Sequence, residues 1–249
     1  MLSCHPSIRA LWFSACMTAC SFASDTPSAS DPAGTVPLQS APVLRPQSDL
    51  STQCHGWPGR PWNRRNRASV QTFVRAGQPA IDFELSNVDG QPVRLSTLLR
   101  DKPVLLHTGS YTCPRFQSSQ DGLTRTARKF NDDLHTALVY VMEAHPGKNQ
   151  PSAYHGVPKP HEFSDRGQSR DWETRASSAR DLTLGTDVIR LIDDLDGEQS
   201  NPFWCSYGTC PSCSFLIGQD GLIHAVHLWH DEATMNVSID ALLTSNSGP

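Results

Sequence analysis

The chain has 249 residues, 37% of them hydrophobic and 18% charged, a composition that suits one globular domain of ordinary size with unstructured sequence attached. Its net charge of -4 offers no broad basic field, so neither nucleic acid nor an anionic membrane surface is expected as a partner. The local run 60–67, rich in arginine, reads as a solvated linker patch.

Residues 1–23 read as an export signal: Arg9 precedes an apolar stretch, Ala10 to Ala19, that is too short to span a bilayer as a helix. Met17-Thr18-Ala19-Cys20 resembles a bacterial lipobox, which would make Cys20 a lipidated first residue and a lipid anchor. Ser21-Phe22-Ala23 is the alternative cleavage site and would release a soluble protein. Either way the protein is expected in the bacterial cell envelope or periplasm. Cleavage removes Cys4 and Cys16 and leaves Cys54, Cys113, Cys205, Cys210 and Cys213, so disulfides can persist and at least one thiol is left over.

Residues 24–70 are rich in Ser, Pro, Asp, Gln and Arg and lack apolar periodicity, which predicts a disordered linker; residues 71–249 form the folded domain. Within it, Ala80–Leu85 and Val93–Leu95 flank Asp89-Gly90 as an N-terminal β-hairpin. Pro103–Thr108 reads as a buried strand. The helix after Pro114 carries Phe116, Leu123, Ala127, Phe130 and Leu134 on one face. Ala137–Met142 is the next buried strand, Asp171–Leu184 a second helix, and Val188–Ile192 a minor strand. Ser214–Ile217 and Leu222–Trp229 close as a hairpin around Asp220-Gly221, and Glu232–Leu243 is the last helix. This order predicts an α/β, thioredoxin-like fold with a mixed central sheet and helices on both faces.

Cys113 stands where a buried strand hands over to a helix, so its sulfur should meet unpaired N–H groups and the positive end of the helix dipole. Gly109, Ser110, Thr112 and Pro114 surround it with small or hydroxyl-bearing groups, and the expectation is an exposed, nucleophilic thiolate. Ser110 occupies the place of the first cysteine of a local Cys-x-x-Cys, so any resolving thiol must come from elsewhere.

The segment Gly109-Ser110-Tyr111-Thr112-Cys113-Pro114-Arg115-Phe116 resembles the active-site segment of the iodothyronine deiodinases, with Cys113 at the position usually held by selenocysteine. Glu143-Ala144-His145 is similar to the family's acidic residue and functional histidine, and Tyr207-Gly208 is a further match. The chain departs from the family at Met142, where many members carry a further acid, and at Leu228-Trp229-His230-Asp231, which lacks a Gly-Pro-containing stretch.

The resemblance implies a thiol-dependent oxidoreductase that removes iodine from an aromatic ring. Such chemistry needs a soft nucleophile for the halogen, Cys113, and an acid to protonate the carbon, His145, with Glu143 orienting the histidine. No cofactor is expected; an external thiol or a thioredoxin-like protein would serve as reductant. Pro211 precedes the strand Ser214–Ile217 at the place where thioredoxin folds hold a proline against the active cysteine, so Cys210 or Cys213 could resolve an oxidised Cys113. Alternatively Cys205, Cys210 and Cys213 staple a loop. A peroxiredoxin-like or thiol-disulfide oxidoreductase using the same Cys113 is the second functional reading.

Overall fold

The computed structural model describes residues 42–45, 63–65, 67–147, 149–195 and 201–246. The export signal, Cys20, Cys54 and most of the expected linker lie outside the described residues. All described residues fall in one compact unit, Gln39–Pro249.

Among the described residues seven strands form a mixed sheet. β1 (Glu84–Asn87) and β2 (Pro92–Arg94) pair antiparallel across a turn in which Gly90 has φ +79°. β3 (Val104–Gly109), β4 (His135–Tyr140) and β5 (Val188–Ile192) run parallel, and β6 (Ser214–Ile217) and β7 (Ile223–His227) add an antiparallel edge beside β3. The order across the sheet is β2-β1-β5-β4-β3-β6-β7. Val188–Ile192, expected as a minor strand, is therefore interior, held between β4 and β1.

The pleat sorts the core into two layers, because successive side chains of a strand point to opposite faces. Leu105, Leu138, Tyr140 and Leu216 face α2 (Pro114–Lys129), α3 (Trp172–Arg180) and α5 (Glu232–Asn246), meeting Phe116, Leu123, Ala176, Met235 and Ile239. Val104, Leu106, Val139 and Phe215 face the other way, onto Leu95 and Leu99 of α1 (Leu95–Asp101) and Phe203 and Trp204 of α4 (Pro202–Tyr207). Asp171 caps α3 by accepting from the Thr174 N–H at 2.7 Å. The short helices α1 and α4 have no side-chain cap and were not expected.

Part of the expected linker is attached to this domain. Arg45 bridges Ile81, its N–H donating to the Ala80 carbonyl at 2.8 Å, and Leu44, Ala68 and Val70 pack against the core. Local composition misses this because the attachment at Arg45 is backbone pairing to Ala80–Asp82, outside the named strands.

Candidate active site at the β3–α2 turn

β3 is buried along its whole length and delivers the chain into a tight turn. A Cβ on Gly109 would stand 2.5 Å from the Phe116 ring, so only glycine lets α2 close onto the strand end. Cys113 is the N-cap of α2, in extended backbone with φ -90° and ψ 110°, and Pro114 follows as the first helical residue. The Cys113 N–H donates to the Ser110 carbonyl at 3.1 Å, and its own carbonyl accepts from Gln117 N–H at 2.9 Å.

The expectation of an exposed thiolate is not met. Cys113 is a free thiol only 2% exposed, in one cluster with Phe116, Leu138, Tyr140 and Ala144, with Tyr111 and Tyr154 packed alongside. Burial pushes its pKa up to about 11. The backbone N–H groups of Phe116 and Arg115 pull the other way, as the helix start predicts, but they do not offset desolvation; the Glu143 carboxylate adds to the upward shift. At pH 7 the sulfur is held as the thiol. The rate of Cys113 alkylation by iodoacetamide in the resting protein should therefore rise about tenfold per pH unit between pH 7 and 10, without a plateau. A plateau near pH 7 to 8, followed by peptide mass spectrometry, would mean an activated thiolate instead.

Beside the thiol lies a buried polar network. Glu143, 1% exposed, accepts at Oε2 from Thr112 N–H (2.9 Å) and Thr112 Oγ1 (2.7 Å), and at Oε1 from the Tyr140 hydroxyl. Tyr140 in turn accepts from the Tyr111 N–H at 3.0 Å. Burial raises the Glu143 pKa while Tyr140 and Thr112 hold it down by donating to its charged form; the same burial raises Tyr140 well above its usual value. Gln168 clamps the backbone of Glu143, accepting from its N–H at 3.1 Å and donating to its carbonyl at 2.7 Å. Ser110 Oγ accepts from the Ala144 N–H at 3.3 Å, and Thr112 Oγ1 accepts from the His145 N–H at 3.0 Å. Ser110 and Thr112 thus sew the cysteine turn to the segment that carries Glu143 and His145.

The half-buried His145 has its Nδ1 2.8 Å from the Lys159 carbonyl. A carbonyl can only accept, so Nδ1 carries the proton and Nε2 is an acceptor in the neutral ring. Burial lowers the His145 pKa, favouring that neutral form. The ring sits 5.5 Å from His155 and 6.0 Å from His161, and His161 stacks on Phe163. Tyr154, from the same connection between β4 and α3, packs against both core layers and accepts from Trp204 Nε1 at 3.3 Å.

The iodothyronine deiodinase family model matches residues 63–224, taking in the cysteine turn, the Glu143–His145 segment and the connection that covers them. This chain belongs to that family. The thyroxine 5-deiodinase of Gallus gallus is 33% identical over 120 residues, 47% of this chain and 46% of its own length. The human thyroxine 5-deiodinase is 27% identical over 133 residues, 53% of this chain and 41% of its own. The chain thus covers less than half the length of these curated relatives. Among solved structures, a hypothetical protein from Sinorhizobium meliloti 1021 superposes with a TM-score of 0.50 at 16% identity, covering 71% of this chain and 89% of that one. The exposed lipoprotein thioredoxin of Streptococcus pneumoniae strain TIGR4 does so at 0.44 and 19% identity, over 66% and 98%. The fold is thioredoxin-like.

Within this deiodinase-family domain the remaining cysteines are already joined. Cys210 and Cys213 form a disulfide with Cα atoms 5.8 Å apart, and Cys205 is disulfide-bonded too. While that bond is closed, neither Cys210 nor Cys213 can attack Cys113, so the resolving role expected of them does not operate in this state. Both are fully buried, and Thr108 Oγ1 donates to the Cys210 carbonyl at 3.0 Å, as suits a loop staple. Two parts of the site escaped the sequence reading. Tyr140 lay hidden in an apolar strand, although a buried tyrosine hydroxyl needs a partner and the acid three residues on was the obvious one. The buried Arg175 donates to the Asp193 carbonyl (2.5 Å) and Asn201 Oδ1 (2.8 Å), while the Asp193 carboxylate, pushed up to about 7 by burial, accepts from the first N–H groups of α4. No local pattern announces that pair.

Proposed function

We propose that this protein is a thiol-dependent oxidoreductase that reductively removes iodine from an aromatic ring, with Cys113 as the halogen acceptor. The observation that carries the reading is a single free cysteine, among the described residues, set at the strand-to-helix turn and tied through Thr112 to the Glu143 carboxylate and to the backbone N–H of His145. Family membership points to the same class of chemistry.

The thiol must ionise before it reacts, and neutral His145 is the base: Nε2 takes the sulfur's proton, leaving a thiolate and an imidazolium. The thiolate takes iodine from the ring carbon as the C–I bond breaks, giving a sulfenyl iodide, and His145 returns the proton to that carbon. One external thiol then displaces iodide to form a mixed disulfide, and a second restores Cys113 and leaves the reductant as its disulfide. Protons and electrons balance as one aryl iodide and two thiols giving the arene, one disulfide, iodide and a proton. Glu143 positions this machinery through Thr112 and stays buried throughout. Substrate entry requires the segment carrying Tyr154 to move aside.

Export to the cell envelope, with Cys20 as lipid anchor or with a released soluble chain, belongs to the same proposal; among the described residues no helix is long and apolar enough to cross a membrane. The test is iodide release from 2-iodophenol with dithiothreitol, run beside peroxide consumption. Iodide without peroxidase activity is expected. Peroxide consumption with no iodide from any iodophenol would replace this reading with the peroxiredoxin-like one.

A further inference from the structure

Beside the cysteine turn, between α2 and the β7–α5 connection, lies a pocket of about 220 Å³. Its lining carries two arginines and two acids, but they are not paired one to one. Arg125 is closed off by Glu232, with hydrogen bonds of 3.0 and 2.6 Å. Asp231 is spent on the start of α5, accepting from the Thr234 N–H at 2.8 Å and its hydroxyl at 2.6 Å. Arg115, two residues beyond Cys113, has no acidic partner among the described residues; its guanidinium stands 5.9 Å from the centre of the Trp229 ring. Trp229 is 43% exposed, one of few large apolar residues so placed among the described residues. His230 completes the wall, its Nδ1 2.7 Å from Ser214 Oγ and its buried Nε2 without a partner among the described residues.

An unpaired guanidinium above an exposed indole calls for an anion on a flat ring, which lies on the indole while its carboxylate meets the fork of donors. Size narrows the ligand further. A cavity of about 150 Å³ holds one benzene, so this one has the size of a single substituted ring. The wall-forming residues 229–232 fall beyond the stretch matched by the family model, which ends at residue 224, while Arg115 lies within it.

We propose that the pocket binds a single-ring aromatic carboxylate, with the carboxylate on Arg115 and the ring against Trp229. Where the proposed dehalogenation holds, a halogenated hydroxybenzoate-like acid bound here would wait beside the cysteine turn, since Cys113 and His145 do not line the pocket; the binding site itself does not depend on that reading.

Isothermal titration of the full chain with 3-iodo-4-hydroxybenzoate, 2-iodophenol, cyclohexanecarboxylate, inorganic phosphate and a two-ring iodinated phenoxyphenyl acid tests this. The iodohydroxybenzoate should bind tightest, and Arg115→Gln or Trp229→Leu should each weaken it roughly tenfold or more. Equal binding of 2-iodophenol, cyclohexanecarboxylate, phosphate or the two-ring acid would overturn the proposal, as would an Arg115→Gln protein that binds normally. Iodide release is scored separately. Release from 2-iodophenol with no preference for the carboxylate sinks the pocket and spares the dehalogenase; tight carboxylate binding with no iodide from any iodophenol does the reverse.

Discussion

Cys113→Ser is expected to lower iodide release by at least about 10³-fold, because the substitution removes the atom that accepts the halogen and leaves a hydroxyl that cannot. The structure offers no substitute: among the described residues Cys113 is the free cysteine, and Cys205, Cys210 and Cys213 are bonded. Folding should survive. Serine is slightly smaller than cysteine, and its hydroxyl sits within reach of the Arg115 and Phe116 N–H groups that already meet the sulfur, so the loss should stay near 1 kcal/mol by urea titration. A protein that keeps a tenth or more of its rate would move the nucleophile elsewhere.

Glu143→Ala should be the most destabilising change in the site, by about 3 kcal/mol. The Thr112 N–H, the Thr112 hydroxyl and the Tyr140 hydroxyl all donate to this carboxylate inside the protein, and alanine leaves them without an acceptor. Part of that loss is offset because a buried charge is removed as well. Glu143→Gln separates folding from chemistry. It keeps the shape and one acceptor oxygen, so it should fold better than the alanine variant. It also removes the negative charge that raises the Cys113 pKa, so alkylation of Cys113 should become faster at a given pH. Urea denaturation and iodoacetamide kinetics measure the two effects. A stability change below about 0.5 kcal/mol in Glu143→Ala would mark an ordinary solvated carboxylate.

The parts legible in the sequence were those governed by short-range physics. The run into Gly109, the proline at the helix start and the 3.6-residue spacing of Phe116, Leu123 and Ala127 fix β3 and α2, and so the place of Cys113. Val188–Ile192 was read as a strand with its bounds, but not as an interior one, because Arg190 interrupts its apolar run; the Arg190 guanidinium reaches the Leu184 carbonyl at 2.7 Å. α4 was missed because Asn201, at φ +63°, starts it from a left-handed residue, and its Phe-Trp-Cys content reads as strand or loop. The thiol's protonation was misjudged for a different reason. A helix start argues for a thiolate, but the outcome depends on how much of the β4–α3 connection lies over the sulfur, and Tyr154 is 41 residues further along the chain. Local signals locate a nucleophile; long-range packing decides its charge.

The most direct test is to incubate the reduced protein with 3-iodo-4-hydroxybenzoate and 2-iodophenol in the absence of thiol, trap sulfur electrophiles with dimedone, and compare adduct with iodide. The expectation is a dimedone adduct on Cys113 in step with released iodide, stopping after a single turnover. Iodide released with Cys113 unmodified would contradict it.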